Sequence, residues 1–163
     1  MAVAKQLEAL NTGSPAASDR ALGLDGGLAW GWCRRGWVDV FRGEPTEAIE
    51  RLAIARSLAA GDPVLSASSC FATATSHFQA GRQGEAIRWI KRGIAARPDA
   101  VGFSPVFLAS ALAFDSRKDE ARQTFTAWKR GHPDMTVAHV KSGWPFEACF
   151  LDRVAEGLEH TGI

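Results

Sequence analysis

Few side chains in this sequence are of the kind that do covalent or metal chemistry, and those few are scattered. His77, His132, His139 and His160 lie far apart along the chain. Cys33, Cys70 and Cys149 are odd in number, widely spaced and without a CxxC pair. Neither a disulfide framework nor a zinc site is therefore expected, and the thiols read as reduced, in a cytoplasmic protein. The glycine pair of Gly81-Arg82-Gln83-Gly84 lacks the GxxxxGK[ST] or GxGxxG context that a phosphate-cradling loop needs. Arg34-Arg35 and Lys91-Arg92 read as short basic pairs on solvated faces. No catalytic residue, metal or cofactor is expected. The chemistry on offer is non-covalent binding.

Composition narrows the class further. The chain has 163 residues, 46% hydrophobic and 23% charged, which suits one folded domain over 1–163 and excludes a disordered chain. Lys+Arg number 19 against 18 Asp+Glu, a net charge of +1, which argues against a nucleic-acid partner. The longest apolar stretch, Ala100 to Phe114, is too short to span a bilayer and contains Gly102, Ser104, Pro105 and Ser110, so no membrane partner is expected. The N-terminus has no signal-peptide core and opens inside a helical pattern, which reads as a segment of a longer protein.

The positioning elements come from an internal repeat. Gly81–Pro98 recurs 35 residues later as Ser116–Pro133, with Gly81 matching Ser116, Glu85 matching Glu120, Ala86 matching Ala121 and Ile90 matching Phe125. Gly43 stands 38 residues before Gly81 and starts a third copy in which Glu47, Ala48 and Ile49 match Glu85, Ala86 and Ile87. Pro63 stands 35 residues before Pro98, so about one helical turn is added to the segment from Gly43 to Pro63. The intervening stretches repeat as well. Trp32, Gly36 and Asp39 match Cys70, Ala74 and His77, then Pro105, Ala109 and Leu112. A small residue thus recurs within each first helix (Gly36, Ala74, Ala109) and early in each second helix (Ala48, Ala86, Ala121). Paired helices cross closely only where both lack bulk. Asp62-Pro63 reads as a helix start, Ser104-Pro105 offers the same arrangement, and Pro98 and Pro133 close second helices. No segment alternates as a strand does.

On these residues the chain resembles the tetratricopeptide repeat family: Trp32, Gly36, Gly43, Ala48, Leu52 and Ala55, then Ala74, Gly81, Ala86, Ile90, Gly93 and Pro98. The resemblance implies an all-α fold, a right-handed superhelical solenoid of antiparallel helix pairs with about ten helices. It covers about two-thirds of the chain. The repeats run over 29–62, 67–100 and 102–135, after a partial repeat in 1–28 and before a C-terminal cap over 136–163. The family's common tyrosine is absent, and Asp39, His77 and Leu112 fill its column. Within 145–161, Phe146, Phe150, Leu151, Val154 and Leu158 fall at helical spacing and form a helix capping the last repeat. The ending from Lys141 resembles that of the repeat regions in bacterial class III adenylate or guanylate cyclases and in winged-helix transcriptional regulators.

In the resembled family the first helices line a concave groove. That register places Trp30, Arg34, Trp37 and Phe41, then Phe71, Thr75 and Gln79, then Phe103, Phe107, Ser110 and Phe114 on the inner wall. The result is an aromatic groove without the Lys–Asn–Arg carboxylate clamp that some family members carry. Only Arg34 offers a strong anion donor there. Two function classes follow. The first is a non-catalytic module binding a protein or peptide partner, or a second copy of itself as a homodimer. The second is a regulatory or sensor fragment of a larger cyclase or transcriptional regulator, its groove used for ligand binding, interdomain contact or dimerisation. The terminal helices of the chain could equally fill the groove. The register itself is testable. Ala86→Leu and Ala121→Leu should each overpack a helix crossing and cost about 1–3 kcal/mol in chemical denaturation, and unchanged midpoints would show the alignment to be wrong.

Overall fold

Gly43, Gly81 and Ser116 occupy matched turns, and all three adopt the left-handed conformation, at φ of 67°, 75° and 63°. Each ends the first helix of a pair and turns the chain directly into the second. A computed structural model describes residues 27–59, 61–99, 102–142 and 146–162. Among them are eight α-helices and no strand. They are α1 Ala29–Phe41, α2 Pro45–Leu58, α3 Pro63–Gln79, α4 Gln83–Ala96, α5 Ser104–Phe114, α6 Lys118–Lys129, α7 Val137–Ser142 and α8 Ala148–Glu159. The expected repeat within 1–28, and the further helices it would add toward ten, fall almost wholly on residues outside this description.

The helix starts follow local chemistry. Asp62 caps α3, its Oδ1 accepting from the amides of Val64 and Leu65, with Pro63 in the first turn. This start lengthens α3 to 17 residues, against 13 in α1 and 11 in α5, and moves the second repeat's opening from 67 back to 63. At Ser104-Pro105 the expected cap shifts by one residue. Phe103 holds the cap position and Ser104 is already helical. The added turn expected between Gly43 and Pro63 is not in the helix, because α2 and α4 each have 14 residues. The extra length falls in α3, which is longer than α5, while the connection from α2 to α3 is shorter than that from α4 to α5.

Packing runs between neighbours. α1 lies on α2 and α3, α2 on α3, α3 on α4, α4 on α5, and α5 on α6. Small residues make these approaches possible. Ala48, Ala74, Ala86, Ala109 and Ala121 are all fully buried. A Cβ on Gly36 would meet the Leu52 side chain at 2.6 Å, so α1 and α2 touch through hydrogen at that point. In the tyrosine column, Leu112 is buried apolar surface, whereas Asp39 is fully buried and ion-paired with Arg35 at 3.0 Å and with Arg51 of α2. The Arg51 ion pair ties α1 to α2 by charge. Burial still raises the Asp39 pKa despite both guanidiniums.

Ser116 is the one of the three turn residues that carries a Cβ, and the left-handed region costs a non-glycine residue about 1–2 kcal/mol. Ser116→Gly is expected to raise stability by about 1 kcal/mol, read as a higher urea midpoint with an unchanged slope. A lower midpoint would mean that the serine side chain holds the turn.

Candidate functional site

The residues of the expected groove meet three different fates. Phe41 at the end of α1, Phe107 in the first turn of α5 and Phe114 at its end are each covered by the segment from Phe146 to His160. Phe146, just ahead of α8, contacts the rings of Phe41 at 5.0 Å and Phe107 at 5.6 Å. Phe150 contacts Phe107 at 5.4 Å and Phe78 at 5.7 Å. Farther along, Gly157 lies so close to Ser110 that no side chain would fit, and Phe114 meets the His160 ring at 5.6 Å. The Arg153 guanidinium covers the rings of Phe114 and Phe78, at 5.3 and 5.6 Å. At the far end the Arg122 guanidinium of α6 donates twice to the Thr161 carbonyl. The C-terminal helix is therefore present as the spacing predicts, but it does more than cap the last pair. The helix itself packs on α5 and α7, and the residues flanking it, Phe146 and Thr161, reach α1 and α6.

A second group lies inside the helix packing. Phe71 does not join that wall. Its ring rests against Gly93 of α4, where a Cβ would come within 2.5 Å, so the expectation that it lines the groove does not hold. Thr75 is buried and donates back to the Phe71 carbonyl at 3.0 Å. Phe103 is half-buried against the core ahead of α5. Gln79 donates to the Val40 carbonyl at 2.9 Å, joining α3 to the end of α1, while its Oε1 is buried without a partner among the described residues.

The third group marks the open end. Trp30 is 37% exposed and Arg34 is exposed. The Trp30 indole donates to Asp62 at 3.2 Å. Trp37 is nearly buried, stacked on Phe41, and its indole donates to Ser68 Oγ at 3.0 Å. Around this end Leu28, Ile54, Leu58 and Val64 are each about two-fifths exposed.

The chain matches no known protein-family model, no curated protein and no solved structure.

Burial pushes the Cys33 thiol up to about 11 and raises that of Cys70, so neither is a thiolate nucleophile at neutral pH. Among the described residues no three His, Cys, Asp or Glu side chains come together to hold a metal ion. No described helix is long and apolar enough to cross a membrane. The sequence reading did not find the full role of Phe146 and Phe150. Their helical spacing was visible, but the spacing names no partner surface. It also read Arg92 as merely solvated. In the structure both Arg92 and Arg56 lie over the Trp89 ring, a pairing between two different second helices that neither segment shows alone.

His77 is half-buried and its Nδ1 accepts from Arg82 Nε at 2.9 Å. Burial and the guanidiniums of Arg82, Arg56 and Arg88 lower its pKa from 6.5 to about 4. Between those values the unfolded chain takes up a proton that the folded chain refuses. The contribution is therefore complete above the unfolded pKa and shrinks as pH falls toward the folded one. The denaturation midpoint is expected to drop between pH 7 and pH 5, and His77→Asn should reduce that drop. An identical drop in the variant would assign it to other groups.

Proposed function

We propose that this chain is a non-catalytic protein-interaction module of the tetratricopeptide type, a right-handed stack of antiparallel helix pairs. Its inner wall of first helices receives an amphipathic helix. The observation that supports this reading is α8 itself. An amphipathic helix from the same chain already lies on the wall, anchored by Phe146 and Phe150 among Phe41, Phe78 and Phe107. A surface that accepts one such helix has the shape and chemistry for another with one aromatic anchor in its first turn and a second just ahead of it. The incoming helix belongs to a protein partner or to α8 of a second copy, and it competes with the resident helix for the same rings. The open end at Trp30 and Arg34 is where a longer partner helix would extend beyond the length of α8. The three free cysteines, two of them buried, fit a reducing cytoplasmic setting.

Competition gives the test. A fluorescent peptide with the sequence of residues 146–162 is titrated against the whole chain and against the Phe146→Ala/Phe150→Ala double variant. Weakening the resident helix removes an intramolecular competitor, so the double variant should bind the peptide at least about ten-fold more tightly than the wild type. Adding Phe107→Ala to it should cost about 2 kcal/mol of that binding. Equal peptide affinity in wild type and double variant, with helix content unchanged by circular dichroism, would place recognition elsewhere.

A further inference from the structure

A second site lies away from the aromatic wall, where the end of α2, the start of α3 and the end of α4 meet around a cavity of about 390 Å³. Two arginines face it, Arg56 from α2 and Arg92 from α4. Both guanidiniums lie over the same Trp89 ring, at 4.3 and 5.2 Å from its centre. Arg56 is half-buried, and its one hydrogen-bond acceptor among the described residues is the Thr73 hydroxyl at 2.6 Å. Neither guanidinium meets a carboxylate among those residues. The contrast with the same helices is informative, because Arg51 pairs with Asp39, Arg88 with Glu85 and Lys91 with Glu120.

The acid nearest the cavity does not relieve this. Asp62 lines it, but its Oδ1 takes the Val64 and Leu65 amides and its Oδ2 takes the Trp30 indole. Two like charges thus lie over one ring and line one cavity, the Arg56 charge partly desolvated. Burial and the Arg92 charge accordingly lower the Arg56 pKa. An oxyanion between the two would receive charge-assisted hydrogen bonds from both forks and remove their mutual repulsion. Ser66 adds a hydroxyl at the rim. The cavity is larger than a bare anion needs and falls in the range of about 300–1,000 Å³ typical of small organic ligands.

We propose that the Arg56–Arg92 cavity binds the phosphate group of a small organic phosphomonoester, with the guanidiniums stacked on Trp89 as its anchor. The phosphate lies between the two forks, and the organic part extends along the α3 start toward Ser66 and Pro63. Planar carboxylates bind more weakly, because they carry one charge against two positive groups.

Isothermal titration of the whole chain with glycerol 3-phosphate, inorganic phosphate, acetate and glycerol tests this. Glycerol 3-phosphate should bind with a Kd of about 1 mM or tighter, inorganic phosphate more weakly, acetate weaker still and glycerol not at all. Arg92→Gln, at an exposed position, should weaken the phosphomonoester by about ten-fold or more without changing the melting temperature of the free protein. Arg56→Lys keeps the charge, loses the fork, and should also weaken it. Absence of heat with either phosphate would overturn the proposal, as would phosphate binding that Arg92→Gln leaves intact. Inorganic phosphate binding as tightly as glycerol 3-phosphate would overturn the organic ligand.

Discussion

The fold depends on how closely two helices can approach. At each crossing of the three hairpins one helix presents glycine or alanine to the other: Gly36 and Ala48, Ala74 and Ala86, Ala109 and Ala121. With no bulk at those points the backbones close up, and the larger side chains on either flank, such as Leu52, Phe78, Ile90 and Phe125, are fully covered. Phe71 on Gly93 and Ser110 against Gly157 repeat the device. Close approach also brings the ends of the first helices into one wall. Phe41, Phe78 and Phe114 end or nearly end three successive first helices, so their rings gather on one side without any loop to place them there.

That wall explains why α8 lies where it does. A row of rings that size would be a liability in water, and the chain covers it with its own aromatic pair. The same coverage gives a binding function a built-in threshold. On the proposed reading, a partner helix would gain only the difference between its own contacts and those of α8, which would favour well-matched sequences over weakly apolar ones. The cavity at Arg56 and Arg92 differs, since neither guanidinium is ion-paired among the described residues and the one carboxylate that lines it, Asp62, is held by the start of α3 and by Trp30.

Much of this was legible in the sequence, for a physical reason. Close crossings demand small residues at fixed intervals, and intervals can be read without coordinates. The helix turns were legible on the same ground, down to the match of Ser116 with two glycines. Equivalence in sequence says less where the neighbouring residue changes its meaning. Pro63 and Pro98 hold the same register, and only the residue before each distinguished the start of α3 from the end of α4. Asp62 accepts the free amides of a helix start, and Arg97 has no acceptor to offer. Phe71 lies against Gly93 because the missing side chain leaves room for its ring, a space that a place in the repeat pattern does not show. The Arg56–Arg92 pair was invisible because each arginine, taken in its own segment, is one more surface cation.

The contact between Phe41 and Phe146 changes how the chain must fold. Stacked helix pairs ordinarily communicate only with their neighbours, so each can fray or form on its own. Here the first helix and the approach to the last touch across 105 residues of sequence. Closing so long a loop costs little more entropy than closing a shorter one, because the cost grows only with the logarithm of length. It does, however, postpone the contact until the intervening pairs are in place, which lengthens the search. Once made, it links the end of α1 directly to the approach to α8, so a change at either ring bears on the other end of the chain.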